Sequence, residues 1–170
     1  QLIELVGHVN KNVRDAASEA IGRIGAITKV FIPKLLQLLE SSDTGVRVAA
    51  AEALGKMGSD AARAVDPLRS FLDDESRDVR QAVIEALVKI GPDASAIEPD
   101  FDRLLDDRDY GVQAAAAQAV GRLRMTGSLT VERLVHLLNH DRGTVRHAAA
   151  EAVGAIGPAG ERGLVDLLRR

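Results

Sequence analysis

The sequence predicts an all-α superhelix, an α-solenoid of about five helical hairpins followed by one more helix. Three observations carry that prediction. Val13, Val46, Val79, Val112 and Val145 stand 33 residues apart each time, and a strict period of that length marks a repeat array. After each valine the same apolar offsets return: Ala16, Ala49, Ala82, Ala115 and Ala148 three residues on, and Ala20, Ala53, Ala86, Ala119 and Ala152 seven on. Between these segments lies a second apolar pattern with the same period, built on Leu2, Leu35, Leu68, Phe101, Leu134 and Leu167.

The first pattern is a helix, called B. Offsets 0, 3, 4, 7, 8 and 11 from the valine place an apolar stripe on one face of a 3.6-residue turn. Offset eight is Ile21, Leu54, Leu87, Val120 and Val153; offset eleven is Ile24, Met57, Ile90, Leu123 and Ile156. Three residues before the valine, Asn10, Asp43, Ser76 and Asp109 offer an acceptor to the orphan amides of a first turn. The fifth repeat has Arg142 there, and Asp141 or Thr144 is expected to take over. Gly25, Gly58, Gly91 and Gly157 stand at offset twelve, suited to the left-handed residue that closes a helix. The fourth repeat carries Arg124 instead, with Gly127 beyond, so its B helix is expected to run on.

The second pattern is helix A. Leu5, Leu38, Phe71, Leu104 and Leu137, each beside Val6, Leu39, Leu72, Leu105 or Leu138, complete an i, i+3, i+4 stripe. Pro33, Pro67 and Pro99 are read as lying at A-helix starts, where a missing amide is harmless. Residues 1–9 and 161–170 read as further A helices. The whole chain, 1–170, is thus expected to be a single repeat domain. Neither end is visibly specialised as a polar cap, so the array is expected to be a segment of a longer one.

Composition narrows function. Cysteine is absent, which removes disulfides, thiolate metal sites and cysteine nucleophiles and fits a reducing, cytoplasmic location. A formal net charge of -3 argues against nucleic acid as a partner. Aromatics at 2% are too few for a base-stacking platform. No run spans a bilayer and no signal-peptide pattern opens the chain. The acidic turns, Asp43, Asp73, Asp74, Glu75, Asp78, Asp106, Asp107 and Asp109, read as helix-capping loops, and no calcium-loop pattern accompanies them.

The runs VRVAAAEALGKMG, VRDAASEAIGRIG and VRHAAAEAVGAIG resemble short HEAT repeats, of the HEAT-like family named after phycobilisome bilin lyases. Neither the T-P-L-H of ankyrin nor the tryptophan pattern of tetratricopeptide repeats occurs. The resemblance covers the whole chain and is specific for architecture, not activity. It implies a right-handed solenoid with A helices outside and B helices lining a concave face. It also implies a ladder in which Arg14, Arg47, Arg80 and Arg146 reach a polar residue of an adjacent repeat, broken at Gln113. The His-Glu pairs with which HEAT-like hydroxylases bind iron are missing.

Off the apolar stripe, Glu19 with Arg23, Glu52 with Lys56 and Glu85 with Lys89 form i, i+4 pairs, each worth about 0.2–0.5 kcal/mol. Offsets two, five and nine are unexpectedly apolar in mid-array: Val48, Ala51, Ile84, Val88, Ala114 and Ala117 replace residues such as Asp15, Ser18 and Gly22. These six are the candidate partner-binding residues, an apolar strip for a helix or extended peptide; the alternative is that curvature buries them. His136, His140 and His147 could meet, but without an H-E-x-x-H motif. No phosphate-binding loop, nucleophile elbow or dinucleotide fingerprint is present. The expectation is a non-catalytic scaffold without catalytic residues, metal or cofactor, monomeric, binding a protein or peptide and neither nucleic acid nor membrane. The alternative is a subunit of a bilin lyase-type enzyme.

Overall fold

The computed structural model describes residues 1–24 and 30–169. Among them every regular element is helical, and their contacts divide the chain into two compact units, Gln1–Pro92 and Asp93–Arg170.

The first unit opens on a single 3₁₀ turn, Glu4–Gly7, where a fuller A helix was expected. The B helix α1, Lys11–Ile24, follows; Gly25 lies outside the described residues. Helix α2, Ile32–Leu39, takes Pro33 in its first turn as expected, and α3 spans Thr44–Lys56. The next A segment departs from a single helix. It is a 3₁₀ stretch Gly58–Ala64, a one-turn helix α4, Val65–Arg69, and a second 3₁₀ turn Ser70–Asp73. Pro67 lies inside α4 and brings no amide to an i→i−4 bond, which favours these shorter pieces. Helix α5, Arg77–Ile90, completes the unit.

The second unit begins with α6, Ala94–Leu104, and here Pro99 sits inside the helix, not at its start. The helix begins earlier because Asp93 caps it, accepting from Ser95 N at 3.0 Å. Ser95 is exposed, so the carbonyl left free by Pro99 can turn to water. Helices α7, Tyr110–Leu123, α8, Ser128–Leu137, α9, Gly143–Ala155, and α10, Pro158–Leu168, follow. Glu98 of α6 holds the start of α8, its Oε1 accepting from Gly127 N at 2.7 Å and from Thr130 Oγ1 at 2.9 Å.

Helix ends follow side-chain chemistry. Asn10, Asp43 and Asp109 accept from first-turn amides as expected, whereas Ser76 occupies its cap position without a side-chain bond. Arg142 itself is the fifth cap residue and makes no side-chain bond. Gly58, Gly91 and Gly157 have φ of 57°, 68° and 63°. Helix α7 does not run on: it stops at Leu123, and Arg124 takes the left-handed conformation with φ 51°. The geometry of the stop is kept although the residue suited to it is missing.

Each turn into a B helix is held by two periodic side chains. The residue after each valine reaches back to carbonyls five and six positions earlier. Arg14 donates to His8 O and Val9 O, Arg47 to Ser41 O and Ser42 O, Arg80 to Asp74 O and Glu75 O, and Arg146 to His140 O and Asp141 O. Gln113 does not break this set, because its amide donates to Asp107 O at 2.7 Å. Five residues before each valine stands an acceptor for the amide two places on. His8 Nδ1, Ser41 Oγ, Asp74 Oδ1, Asp107 Oδ1 and His140 Nδ1 accept from Asn10, Asp43, Ser76, Asp109 and Arg142 N. The carbonyls of these irregular turns have no helical partner, and each such bond contributes about 0.5–1.5 kcal/mol. Arg47 adds the expected link between repeats. Its Nη2 donates to Asp74 Oδ1 at 3.0 Å and its Nε lies 3.0 Å from Oδ2.

The core repeats with the same period. Leu35, Leu68, Phe101 and Leu134 of the A segments are buried, as are Ile21, Leu54, Leu87, Val120 and Val153 at offset eight of the B helices. Burying each large side chain contributes about 1.5–3 kcal/mol. The small residues at offset seven let successive B helices approach. A Cβ placed on Gly55 would stand 2.8 Å from Ala86 Cα, and one on Gly121 would stand 2.8 Å from Ala152 Cα. Side chains at these glycines would force the helix axes apart.

Candidate interaction face of the B helices

With the apolar stripe turned inward, offsets two, six and ten leave each B helix toward solvent. In the first unit this face carries Asp15 and Glu19 of α1, Val48, Glu52 and Lys56 of α3, and Gln81, Glu85 and Lys89 of α5. In the second it carries Ala114, Gln118 and Arg122 of α7 and His147, Glu151 and Ala155 of α9. The face therefore mixes one row of carboxylates or amides with one row of cations that is interrupted at Ala155.

The six candidate residues divide. Ala51, Ile84 and Ala117 are 0%, 1% and 0% exposed, which removes them from any surface. All three occupy offset five, where Ser18 is also buried and donates to Ala49 O at 3.1 Å across to α3. Within each unit, offset five of α1, α3 and α7 is the seam with the following B helix. A single hairpin does not need it buried, but the stacking of hairpins does, and that seam is where the apolar strip was misread. Val48, Val88 and Ala114 are half-buried; Val48 and Ala114, at offset two, remain on the face, while Val88 stands at offset nine. Offset nine is a packing position for Gly22, Gly55 and Gly121; only in α5 does a larger residue, Val88, stand there.

The charges pair within and between helices. Lys89 meets Glu85 at 3.0 Å as the i, i+4 spacing predicts. Lys56 instead crosses to Glu19 of the preceding B helix at 3.3 Å, so the Glu52 and Glu19 partners predicted within one helix are exchanged for one between helices. On α1, Lys11 donates to Asp15 at 2.6 Å, and that hydrogen bond with the carboxylate charge raises the ammonium above its ordinary pKa. In the second unit His147 Nε2 lies 3.4 Å from Glu151. Between α7 and α9 this face opens as a shallow cleft of about 220 Å³, lined by Gln118, Gly121, Arg122, Glu151, Ala152 and Ala155.

Nothing on the face converges as a reaction centre would. The histidines do not meet: His140 has its Nδ1 committed to Arg142 N, and its ring stands edge-on to Tyr110 at 5.4 Å, with the Arg142 guanidinium 4.8 Å from the tyrosine ring centre. Among the described residues no group of three or more His, Cys, Asp or Glu is placed to hold a metal ion, and no helix is long and apolar enough to cross a membrane.

A family model for HEAT repeats matches residues 32–99 and again 97–170, which together span most of the sequence. The chain belongs to the HEAT repeat family. This HEAT repeat chain is similar in fold to a chain of the CpcE–CpcF complex of phycocyanin lyase from Nostoc sp. PCC7120. They share 22% identity over 89% of this chain and 95% of that one, with a TM-score of 0.73. It is also similar to an engineered protein, at 24% identity over 97% and 83% with a TM-score of 0.68. A designed armadillo repeat protein in complex with the peptide (KR)4 aligns at 20% identity over 92% and 80%, with a TM-score of 0.63. No curated protein sequence matches it.

Proposed function

We propose that the chain is a non-catalytic protein-interaction scaffold, monomeric, that binds a protein or peptide across the exposed face of its B helices. The observation that carries this reading is the recurrence, in both units, of a half-buried apolar residue set among charges on a face that the fold leaves unpacked, Val48 in the first and Ala114 in the second, with the half-buried Val88 of α5 at offset nine. Binding to such a face draws its affinity from a few apolar anchors and its selectivity from the surrounding charge. Two of the similar structures support it, one holding a peptide and the other a second protein chain. The absence of cysteine and the net charge of -3 agree with a cytoplasmic protein whose partner is not nucleic acid.

The test uses residues that the fold can spare. Ile84 is 1% exposed, so Ile84→Asp would bury an unpaired charge and endanger the fold, and Val48→Asp with Val88→Asp is the informative variant. With its circular dichroism unchanged, it should lose proteins that the parent chain captures from the source cell extract. Equal capture by both would overturn the reading. A second reading, a subunit of a bilin lyase-type enzyme, is favoured by the coverage of 95% of the phycocyanin lyase chain. Covalent transfer of a bilin to an acceptor protein, dependent on this chain, would establish it.

A further inference from the structure

We infer that the cleft between α7 and α9 is a subsite for a lysine side chain of the partner, an inference that rests on the scaffold reading above. The first unit shows the occupied form of the same cleft. There Gly55 meets Ala86 as Gly121 meets Ala152, and the contacts agree in length, with an added Cβ standing 2.8 Å from the alanine Cα and 3.2 Å from its Cβ in both pairs. What lies over the glycine differs. In the first unit the aliphatic stem of Lys89 covers it, with Cδ 3.5 Å from the position of a Gly55 Cβ, and the ammonium ends on Glu85 at 3.0 Å. In the second unit Glu151 stands at the place of Glu85, but Ala155 stands at the place of Lys89. The floor and the carboxylate are kept while the stem and ammonium are missing, and the space is the open cleft of about 220 Å³.

A partner lysine would restore both halves of that arrangement. Its methylenes would lie on Gly121, Ala152 and Ala155, removing apolar surface from water, and its ammonium would reach Glu151. Arg122 stands on the rim at the place that Lys56 holds in the first unit, where Lys56 is drawn to Glu19 and Lys89 is seated. His147 is exposed with its Nε2 3.4 Å from Glu151, so it is a rival donor to that carboxylate that an entering ammonium would displace.

The experiment is a titration of the ¹⁵N-labelled full chain with N-acetyl-lysine methylamide and, separately, with the uncharged N-acetyl-norleucine methylamide. The lysine derivative should shift the amides of Gly121, Gly154 and Ala155 saturably and leave Gly55 still, and norleucine should bind about threefold more weakly or worse. Ala155→Lys places the chain's own lysine in the cleft, as Lys89 is placed in the first unit, and should abolish the response without loss of fold; Glu151→Gln should weaken it to the norleucine level. Equal binding of norleucine, or an unchanged response in Ala155→Lys, would overturn the subsite. The titration reads the cleft alone. If it fails while capture still depends on Val48 and Val88, only the lysine subsite is lost; if capture ignores those valines, the scaffold reading is lost whatever the titration gives.

Discussion

Helices α3 and α5 in the first unit and α7 and α9 in the second are built on the same contacts, and they differ at the residue that follows the repeat valine. Arg47 is 6% exposed and does two things: it satisfies the carbonyls of its own turn, and it makes a buried ion pair with Asp74 of the next repeat. Gln113 does the first and not the second. The partner position explains the exchange. Where the first unit has Asp74, the second has His140, already engaged with Arg142 N and the Tyr110 ring, so an arginine at 113 would meet no carboxylate there. The obligatory task of this position is therefore turn closure, and the link between repeats is an addition made where the neighbour supplies an acid.

The largest way to break that comparison is Asp74→Ala, which leaves the Arg47 guanidinium buried without its carboxylate and removes the acceptor of Ser76 N. A loss of about 3–5 kcal/mol is expected. Gln113→Ala should cost only about 1 kcal/mol, the worth of one neutral hydrogen bond. Urea denaturation of both variants measures the difference, and equal losses would mean that the ion pair adds nothing to turn closure. Next in size is the glycine contact that the two units share. Gly55→Ala and Gly121→Ala each put a methyl 2.8 Å from a backbone carbon, and overpacking of this kind costs about 1–3 kcal/mol. Because the geometry matches, the two losses should agree; a much smaller loss at Gly121 would show that the open cleft lets α9 give way.

These contrasts also show which parts of the molecule the sequence makes legible. The B helices, their stripe and most of their caps follow from local periodicity, because offsets on a helix translate directly into faces. The A segments were read less well, since a stripe does not reveal that Pro67 shortens a helix while Asp93 starts one ahead of Pro99. Offset five was misassigned for a related reason: Ala51 and Ala117 look surplus to one hairpin, and stacking on the following B helix of the same unit accounts for their burial. The turn acceptors at His8, Ser41, Asp74, Asp107 and His140 left a signal that was missed, five hydrogen-bond acceptors of different types at one period. The cleft over Gly121 was not legible by pattern, because it exists through what Ala155 lacks.

A finer test concerns Arg124, whose left-handed φ of 51° closes α7 where Gly91 closes α5. Arg124→Gly should stabilise the second unit by up to about 1 kcal/mol, since glycine reaches that conformation without a Cβ penalty. Gly91→Arg in the first unit should lose a similar amount, and a thermal melt of each variant gives the sign.

The smallest expected effect is at Asp93, which caps α6. Hydrogen bonds from the Ser95 hydroxyl, and then from its amide, hold this carboxyl below its ordinary value. A carboxyl with a lowered folded pKa contributes stability above its unfolded pKa and loses it as pH falls through the folded one. The contribution of Asp93 is therefore present at neutral pH and lost on acidification below the ordinary aspartate range, because protonation weakens it as an acceptor for Ser95. Asp93→Asn keeps a capping oxygen but not the charge, so it should flatten that part of the acid limb while leaving neutral stability nearly unchanged. Ser95→Ala removes the hydroxyl donor and keeps the amide, so it should remove most of the same acid dependence, and an acid limb identical to that of the parent chain would show that the serine hydroxyl is not the cause.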